Sequence, residues 1–152
     1  MSSKSLKVFL SYAHEDEAMK NELHKFLISL IRSQQIEVWQ DRELLPGVEW
    51  DASIKNELEL ADIILLLISA DFNASDYIWK EELGTAMERH EKGTVRVVPI
   101  ILRQCEWEDM PYAKLQALPS NVRPVSEYQD RDLAYTEIAK GIRRVVEGMI
   151  GK

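Results

Sequence analysis

An unbroken apolar run, IILLLI at Ile63–Ile68, is the sequence feature that most restricts the fold. A strand with one face in water alternates apolar and polar residues, whereas a strand covered on both faces is apolar throughout. The run is also far shorter than the roughly 18 apolar residues that indicate a membrane span. It therefore predicts a central strand of a parallel sheet with helices packed on both faces.

Segments on either side of this run repeat the order strand, then helix. The other predicted strands are rich in apolar and β-branched residues and cover 6–12, 36–39, 95–102 and 122–126. The predicted helices have apolar residues at helical spacing and cover about 19–34, 50–61, 76–91 and 130–149. Ser75 or Asp76 is available to cap the third of these helices. Alternating units of this kind predict an α/β chain, an open parallel five-stranded sheet with right-handed crossovers. Pro99 cannot donate a ladder hydrogen bond, which predicts a bulge or an unpaired position in the fourth strand.

Composition restricts the classes of function. The 152 residues carry a formal charge of −7 and no long run of Lys or Arg, so nucleic acid is not an expected partner. The single cysteine, Cys105, cannot form a disulfide framework or a cysteine-rich zinc site, which fits a reducing, cytoplasmic location. The three histidines lack zinc-binding spacing, and no metal is expected. Without a signal peptide or a long apolar run, direct membrane insertion is not expected either. One domain is predicted, preceded by a flexible N-terminus at residues 1–5.

Ligands of open parallel sheets bind at the carboxyl ends of the strands, where the strand order reverses. The loops predicted at that edge contain none of the motifs GxGxxG, GxxxxGK[ST] and GxSxG, so a dinucleotide reductase, a kinase and a serine hydrolase are not expected. A response regulator shares acidic residues after the first and third strands, here Glu15, Asp16 and Asp71. Such receivers also need a lysine after the fifth strand, where this chain has SEYQD.

Four motifs in consistent order resemble a known family. They are VFLSYAHED, LLPGVEW, SADFNASDYIWKEEL and VVPIIL, and the match that they define covers about residues 6–149. In this order they resemble a bacterial TIR domain, of the Toll/interleukin receptor homology family. The resemblance implies a flavodoxin-like fold with strand order 2-1-3-4-5 and a single TIR domain at 6–150. It also implies that the loop containing Leu45, Pro46 and Gly47 serves in self-association.

The resemblance implies two functions. Some members of the family only assemble, whereas others cleave NAD between nicotinamide and ribose with one glutamate early in the helix after the third strand, and Glu82 occupies that register. The implied enzyme is an NAD hydrolase that releases nicotinamide and linear or cyclised ADP-ribose. It is activated by self-association and acts in bacterial immune defence, with NAD as substrate and no cofactor. The alternative is a non-enzymatic scaffold that acts through TIR–TIR assembly, and a nucleoside-processing transferase of related fold is a third. A fused or separate sensor domain is an implied partner.

The resemblance also implies contacts to the substrate. These contacts are Tyr12, His14, Asp41, Gly47 and Trp79. Many relatives place tryptophan or cysteine four residues before the glutamate, a position that Ile78 occupies here. The missing ring favours the scaffold alternative.

Helix geometry distinguishes Glu82 from its neighbour Glu81. Successive side chains of an α-helix turn by about 100°, so the apolar residues locate the packing face. The residues that define this face are Trp79, Leu83, Ala86, Met87 and His90. Glu81 then points away from the face, as a solvated charge does, while Glu82 lies at its border, partly desolvated but able to reach a ligand. Loss of nicotinamide builds positive charge on the ribose, which a fixed carboxylate stabilises.

Overall fold

The structure is a computed structural model that describes residues 5–39 and 50–151. Its sheet has four parallel strands in the order β2-β1-β3-β4. The strands are β1 (Leu6–Ser11), β2 (Ile36–Trp39), β3 (Ile63–Ile68) and β4 (Arg96–Ile101). The strand order reverses between β1 and β3, because β2 lies beside one edge of β1 and β3 lies beside its other edge.

Helices connect the strands on both faces. The α-helices of the described residues are α1 (Glu17–Phe26), α2 (Ile28–Arg32), α3 (Trp50–Leu60), α4 (Ala70–Ala74), α5 (Gly84–Glu91) and α6 (Arg131–Ile150). Short 3-10 segments lie at His14–Asp16, Pro111–Lys114 and Val125–Glu127, and a π-helical turn lies at Ile78–Leu83.

The central strand β3 is covered on both faces, as its sequence predicts, and all six of its residues are buried. Ile63, Leu65 and Leu67 belong to the core formed with α1, α2 and α6. The intervening side chains, Ile64, Leu66 and Ile68, belong to the second core, with α3, α4 and α5. Alternation along an extended strand thus divides one apolar run between two cores.

The predicted fifth strand at 122–126 is wrong, since Val125–Glu127 forms a 3-10 helix. The edge beside β4 is instead occupied at a single bridge, where the Leu118 N–H donates to the Pro99 carbonyl and the Ile101 N–H donates to the Leu118 carbonyl, both at 2.9 Å. The preceding rung of a parallel ladder would require an N–H from Pro99, which proline lacks. Pro99 causes no bulge, because it stays in register with Leu66 on the β3 side.

The helix predicted over 19–34 is divided into α1 and α2, with the break at Leu27. The second helix ends at Arg32, and Gln34, two residues later, has a φ of 62°, in the left-handed region. The Gln34 N–H donates to the Ile31 carbonyl and the Gln35 N–H to the Leu30 carbonyl, both at 3.0 Å. This is the hydrogen-bond pattern of a Schellman cap, in which glycine is the usual residue at the left-handed position. Of the predicted N-terminus at 1–5, Ser5 is described, and its hydroxyl donates to the Gln34 carbonyl at 2.6 Å.

Candidate functional site

A cleft of about 560 Å³ opens at the carboxyl ends of β1 and β3. This is the place where the strand order reverses, which is where open parallel sheets bind ligands. The residues that line it are Tyr12, Ala13, His14, Glu15, Glu17, Asp71, Ala74, Ser75, Tyr77, Ile78 and Glu82. The segments after two different strands therefore form its walls, one of them leading into α1 and the other running from α4 into the π turn.

The segment that carries Glu82 begins with a capping serine. The Ser75 hydroxyl accepts a hydrogen bond from the Ile78 N–H at 3.2 Å, and the Ser75 carbonyl accepts one from the Trp79 N–H at 3.0 Å. Of the two predicted caps, Ser75 makes this contact. The π turn at Ile78–Leu83 follows directly. Such turns use i→i+5 hydrogen bonds and recur at functional sites.

The π turn corrects the predicted packing face. One extra residue in the turn shifts the helical phase, so Ile78 and Glu82 both face inward together with Leu83 and Ala86. Trp79, which an uninterrupted α-helix would place on the packing face, is instead 48% exposed. The prediction failed here because it applied steps of 100° through a segment that is not α-helical.

Glu82 lies deeper than its predicted position at the border of the helix, since its relative exposure is 0%. The Ser11 hydroxyl, at the end of β1 and equally buried, donates to Glu82 Oε1 at 2.7 Å. A buried carboxylate is tolerated when hydrogen bonds compensate for the lost water. Glu81 remains at the surface, as predicted, with its Oε2 3.5 Å from Lys55 Nζ. The two adjacent glutamates therefore occupy opposite environments.

The remaining predicted site residues fall into three groups. Tyr12 and His14 line the same cleft as Glu82. The ring of Tyr12 also has Lys20 Nζ 5.1 Å from its centroid. Trp79 does not line the cleft, whereas the ring of Tyr77 does. The other predicted contacts and the predicted self-association loop lie outside the described residues; these are Asp41, Leu45, Pro46 and Gly47.

A network of polar side chains behind the cleft escaped the sequence analysis. Arg103, which follows β4, donates from Nε to Asp16 Oδ1 at 2.8 Å and from Nη2 to Asp71 Oδ2. The same Nη2 also lies 2.8 Å from Asp16 Oδ1. The Ser69 hydroxyl donates to the other oxygen of Asp16 and accepts from the Phe72 N–H at the start of α4. The hydrogen bonds to Asp16 first, and to Asp71 second, raise the pKa of Arg103. Segments after β1, β3 and β4 are thus joined through one guanidinium.

The carboxyl ends of parallel strands meet at one edge of the sheet, and this rule could have predicted the network. Asp16 and Asp71 are acidic residues after the first and third strands, and a response regulator would pair such residues with a lysine after the fifth strand. The cation is Arg103, after the fourth strand. Because β3 and β4 are neighbours, their carboxyl ends bring Arg103 and Asp71 together.

Other chemistries find little support in the described part of the chain. Burial raises the pKa of the Cys105 thiol, which disfavours the thiolate that a nucleophile requires. Within residues 5–39 and 50–151, no three His, Cys, Asp or Glu side chains come together as metal ligands. No helix of these same residues combines the length and the apolar character that a membrane crossing requires.

A family model and a curated relative both match most of this chain. The family model described as "TIR domain" matches residues 8–141. The uncharacterized protein y4lF of Sinorhizobium fredii (strain NBRC 101917 / NGR234) is 44% identical over 136 residues, which are 90% of this chain and 42% of that protein. The chain therefore spans less than half the length of this curated relative.

A solved structure shows the same fold. It is the crystal structure of the TIR domain of the Toll-related receptor TRR-2 from Hydra magnipapillata, matched with a TM-score of 0.53 at 19% identity. The match covers 90% of this chain and 97% of that one.

Proposed function

The chain belongs to the TIR domain family, and from this premise we propose that it is an NAD hydrolase in which Glu82 is the catalytic carboxylate. The substrate is NAD, and the products are nicotinamide and ADP-ribose, linear or cyclised. The single observation that carries the proposal is the position of Glu82, a fully buried carboxylate in the wall of the cleft at the carboxyl ends of β1 and β3.

The chemistry requires little besides such a group. When the bond between ribose C1′ and the nicotinamide nitrogen breaks, its electron pair moves to the nitrogen and neutralises the charge of the pyridinium. Positive charge then develops on the ribose, as in glycoside cleavage, and an adjacent carboxylate stabilises it. Water adds to C1′ and releases one proton, so NAD and water give nicotinamide, ADP-ribose and a proton. In this scheme Glu82 stabilises the cationic ribose and accepts the proton of the water.

The surroundings of Glu82 fit this role. A carboxylate acts more strongly on a nearby charge where water is excluded, and Ser11 holds one oxygen of Glu82 in place. The ring that relatives place four residues before the glutamate is replaced by Ile78, which packs into the wall of the cleft. Tyr77, in the same wall, is the aromatic side chain that we assign to the nicotinamide ring. Tyr12 and His14, across the cleft, are assigned to the rest of the dinucleotide.

The proposal extends to assembly and to the cell. We place the enzyme in the cytoplasm of a bacterium, where self-association through the loop containing Pro46 and Gly47 activates it in immune defence. A sensor domain, fused or separate, would supply the trigger. A non-enzymatic scaffold is the second candidate, and the exposed ring of Trp79, beside the missing ring at Ile78, favours it. In that case the cleft would bind no NAD and the chain would act only by assembling with other TIR domains.

Release of nicotinamide from NAD by concentrated protein tests the enzyme directly. Glu82→Gln preserves the shape of the side chain but removes its charge, and we expect kcat to fall about 100- to 1,000-fold. The matched control is Glu81→Gln, the same change one residue away at the surface, which should retain most of the activity. Equal release of nicotinamide by wild type and Glu82→Gln would refute the catalytic role of Glu82. No release at any protein concentration would favour the scaffold instead.

A further inference from the structure

Arg103 lies behind the wall of the cleft and donates a hydrogen bond to one of its lining residues. Its Nε contacts Asp16, its Nη2 contacts both Asp16 and Asp71, and Asp71 is itself a lining residue. Among the described residues that line the cleft, none is Lys or Arg, whereas Glu15, Glu17, Asp71 and Glu82 are carboxylates. Arg103 is therefore placed to supply a positive charge that the lining does not contain.

The two carboxylates bonded to Arg103 differ in burial. The Asp16 side chain is 1% exposed and also accepts from Ser69, so it fixes the guanidinium in position. The Asp71 side chain is 39% exposed, and that of Arg103 is 36% exposed. An ion pair between exposed side chains contributes at most about 1 kcal/mol. The contact with Asp71 can thus be exchanged at small cost while the contact with Asp16 persists.

Guanidinium and phosphate fit each other. The planar fork of arginine donates two parallel hydrogen bonds to a pair of oxygens, whether they belong to a carboxylate or to a phosphate. Asp71 presents such an oxygen to Arg103 from the cleft side. An anionic ligand in the cleft meets Asp71 first. Displacing this carboxylate removes a like charge and lets Arg103 Nη2, which stays beside Asp16, donate to the ligand in place of Asp71.

We propose that Arg103 is the diphosphate-binding residue of the cleft and that Asp71 occupies it until the ligand arrives. Asp71 acts as an internal substitute for phosphate and lowers the affinity for the dinucleotide. The assignment of a diphosphate rests on the proposed function, since NAD carries that group between its two nucleosides. Binding of inorganic pyrophosphate tests the proposal without any cleavage of NAD.

The experiment is a calorimetric titration of the full chain with pyrophosphate. Asp71→Asn retains the size of the side chain but weakens its hold on Arg103, so we expect the dissociation constant to fall about fivefold, the factor that corresponds to an exposed ion pair. The matched control is Glu17→Gln, which removes the same charge from the same cleft but from a carboxylate that is not one of the two bonded to Arg103. This control should change the dissociation constant by less than about twofold.

Arg103→Lys adds a second test, because lysine retains a cation for Asp16 but lacks the fork. We expect Asp71→Asn to lose its gain in affinity in the Arg103→Lys background, and thermal unfolding verifies that the variants are folded. Should Arg103→Lys fail to fold, the comparison of Asp71→Asn with Glu17→Gln decides alone. Equal gains in those two variants, a gain that persists without Arg103, or no measurable pyrophosphate binding by wild type and Asp71→Asn would overturn the proposal. If the pyrophosphate affinities follow the expected pattern but the chain releases no nicotinamide from NAD, the diphosphate site is supported and the hydrolase is refuted.

Discussion

The hydrogen bond from Ser11 to Glu82 connects the end of β1 to the π turn, and Ser11→Ala removes it by deleting one oxygen atom. Both residues have a relative exposure of 0%, and the 2.7 Å separation of Ser11 Oγ from Glu82 Oε1 is the usual O–H···O distance. A hydrogen bond to a charged group contributes about 1.5–3 kcal/mol, and here the acceptor that remains stays buried. We therefore expect Ser11→Ala to lower the free energy of unfolding by about 1.5–3 kcal/mol.

The same substitution should act on catalysis through the orientation of Glu82. Ser11 is not a lining residue of the cleft, so KM for NAD should change little. If the hydroxyl stabilises the productive orientation of Glu82 by at least 1.4 kcal/mol, kcat falls by about tenfold or more. Ser11→Thr retains a hydroxyl and should restore most of kcat, although its extra methyl group will reduce stability in so tightly packed a position.

Two measurements examine this reasoning, urea unfolding of each variant and nicotinamide release at a fixed high protein concentration. A double-mutant cycle with Glu82→Ala isolates the pair, and we expect a coupling free energy of at least about 1 kcal/mol. A coupling free energy near zero, together with an unchanged kcat in Ser11→Ala, would show that the hydroxyl does not position the carboxylate.

Two further predictions concern stability. Gln34 has a φ of 62°, a left-handed conformation that costs a residue with a side chain about 1–2 kcal/mol and costs glycine almost nothing. Glycine also gives the unfolded chain more conformational entropy, which lowers stability by roughly 0.5–1 kcal/mol. The first effect is the larger, so Gln34→Gly should raise the free energy of unfolding by about 0.5–1 kcal/mol. Gln35→Gly, at an ordinary φ, should lower it, and a loss of stability in both variants by urea unfolding would contradict this interpretation. Burial, and then the charge of Lys20, lowers the pKa of His24 below 6.5, so the folded chain binds fewer protons than the unfolded chain and stability decreases as pH falls through 6.5. Thermal unfolding between pH 7.5 and 5.5 should show a smaller decrease for His24→Gln than for wild type, and identical slopes would refute the assignment.

Much of the architecture followed from the sequence, because it depends on local patterns. The apolar run at Ile63–Ile68 identified the central strand without reference to any other segment. The four motifs identified the TIR family, which the family match confirms. The solved structure confirms the flavodoxin-like α/β fold. The rule that ligands bind at the carboxyl ends of strands selected the loop that contains Tyr12 and His14, and the family resemblance selected Glu82. The structure brings all three to one cleft.

The features that sequence reasoning missed depend on contacts between distant segments. The prediction of a fifth strand failed because Pro99 lies at the edge of β4. The missing N–H of Pro99 matters only if it faces that open edge rather than β3, and the sequence does not show which way it faces. The Arg103 network required knowledge of which strand ends are adjacent and how far a guanidinium reaches across them. The depth of Glu82 required the π turn, and the residue pattern of an ordinary amphipathic helix does not distinguish i→i+4 from i→i+5 hydrogen bonding.

The π turn has a consequence for how related chains should be aligned. The inward direction of the carboxylate depends on the number of residues between the capping Ser75 and Leu83, and loss of one residue there would restore an α-helix and rotate Glu82 by about 100° away from the cleft. A relative could then retain the glutamate in its motif and still point it into water. A one-residue gap in this segment is therefore a more informative difference between two homologues than any single exchange of side chains nearby.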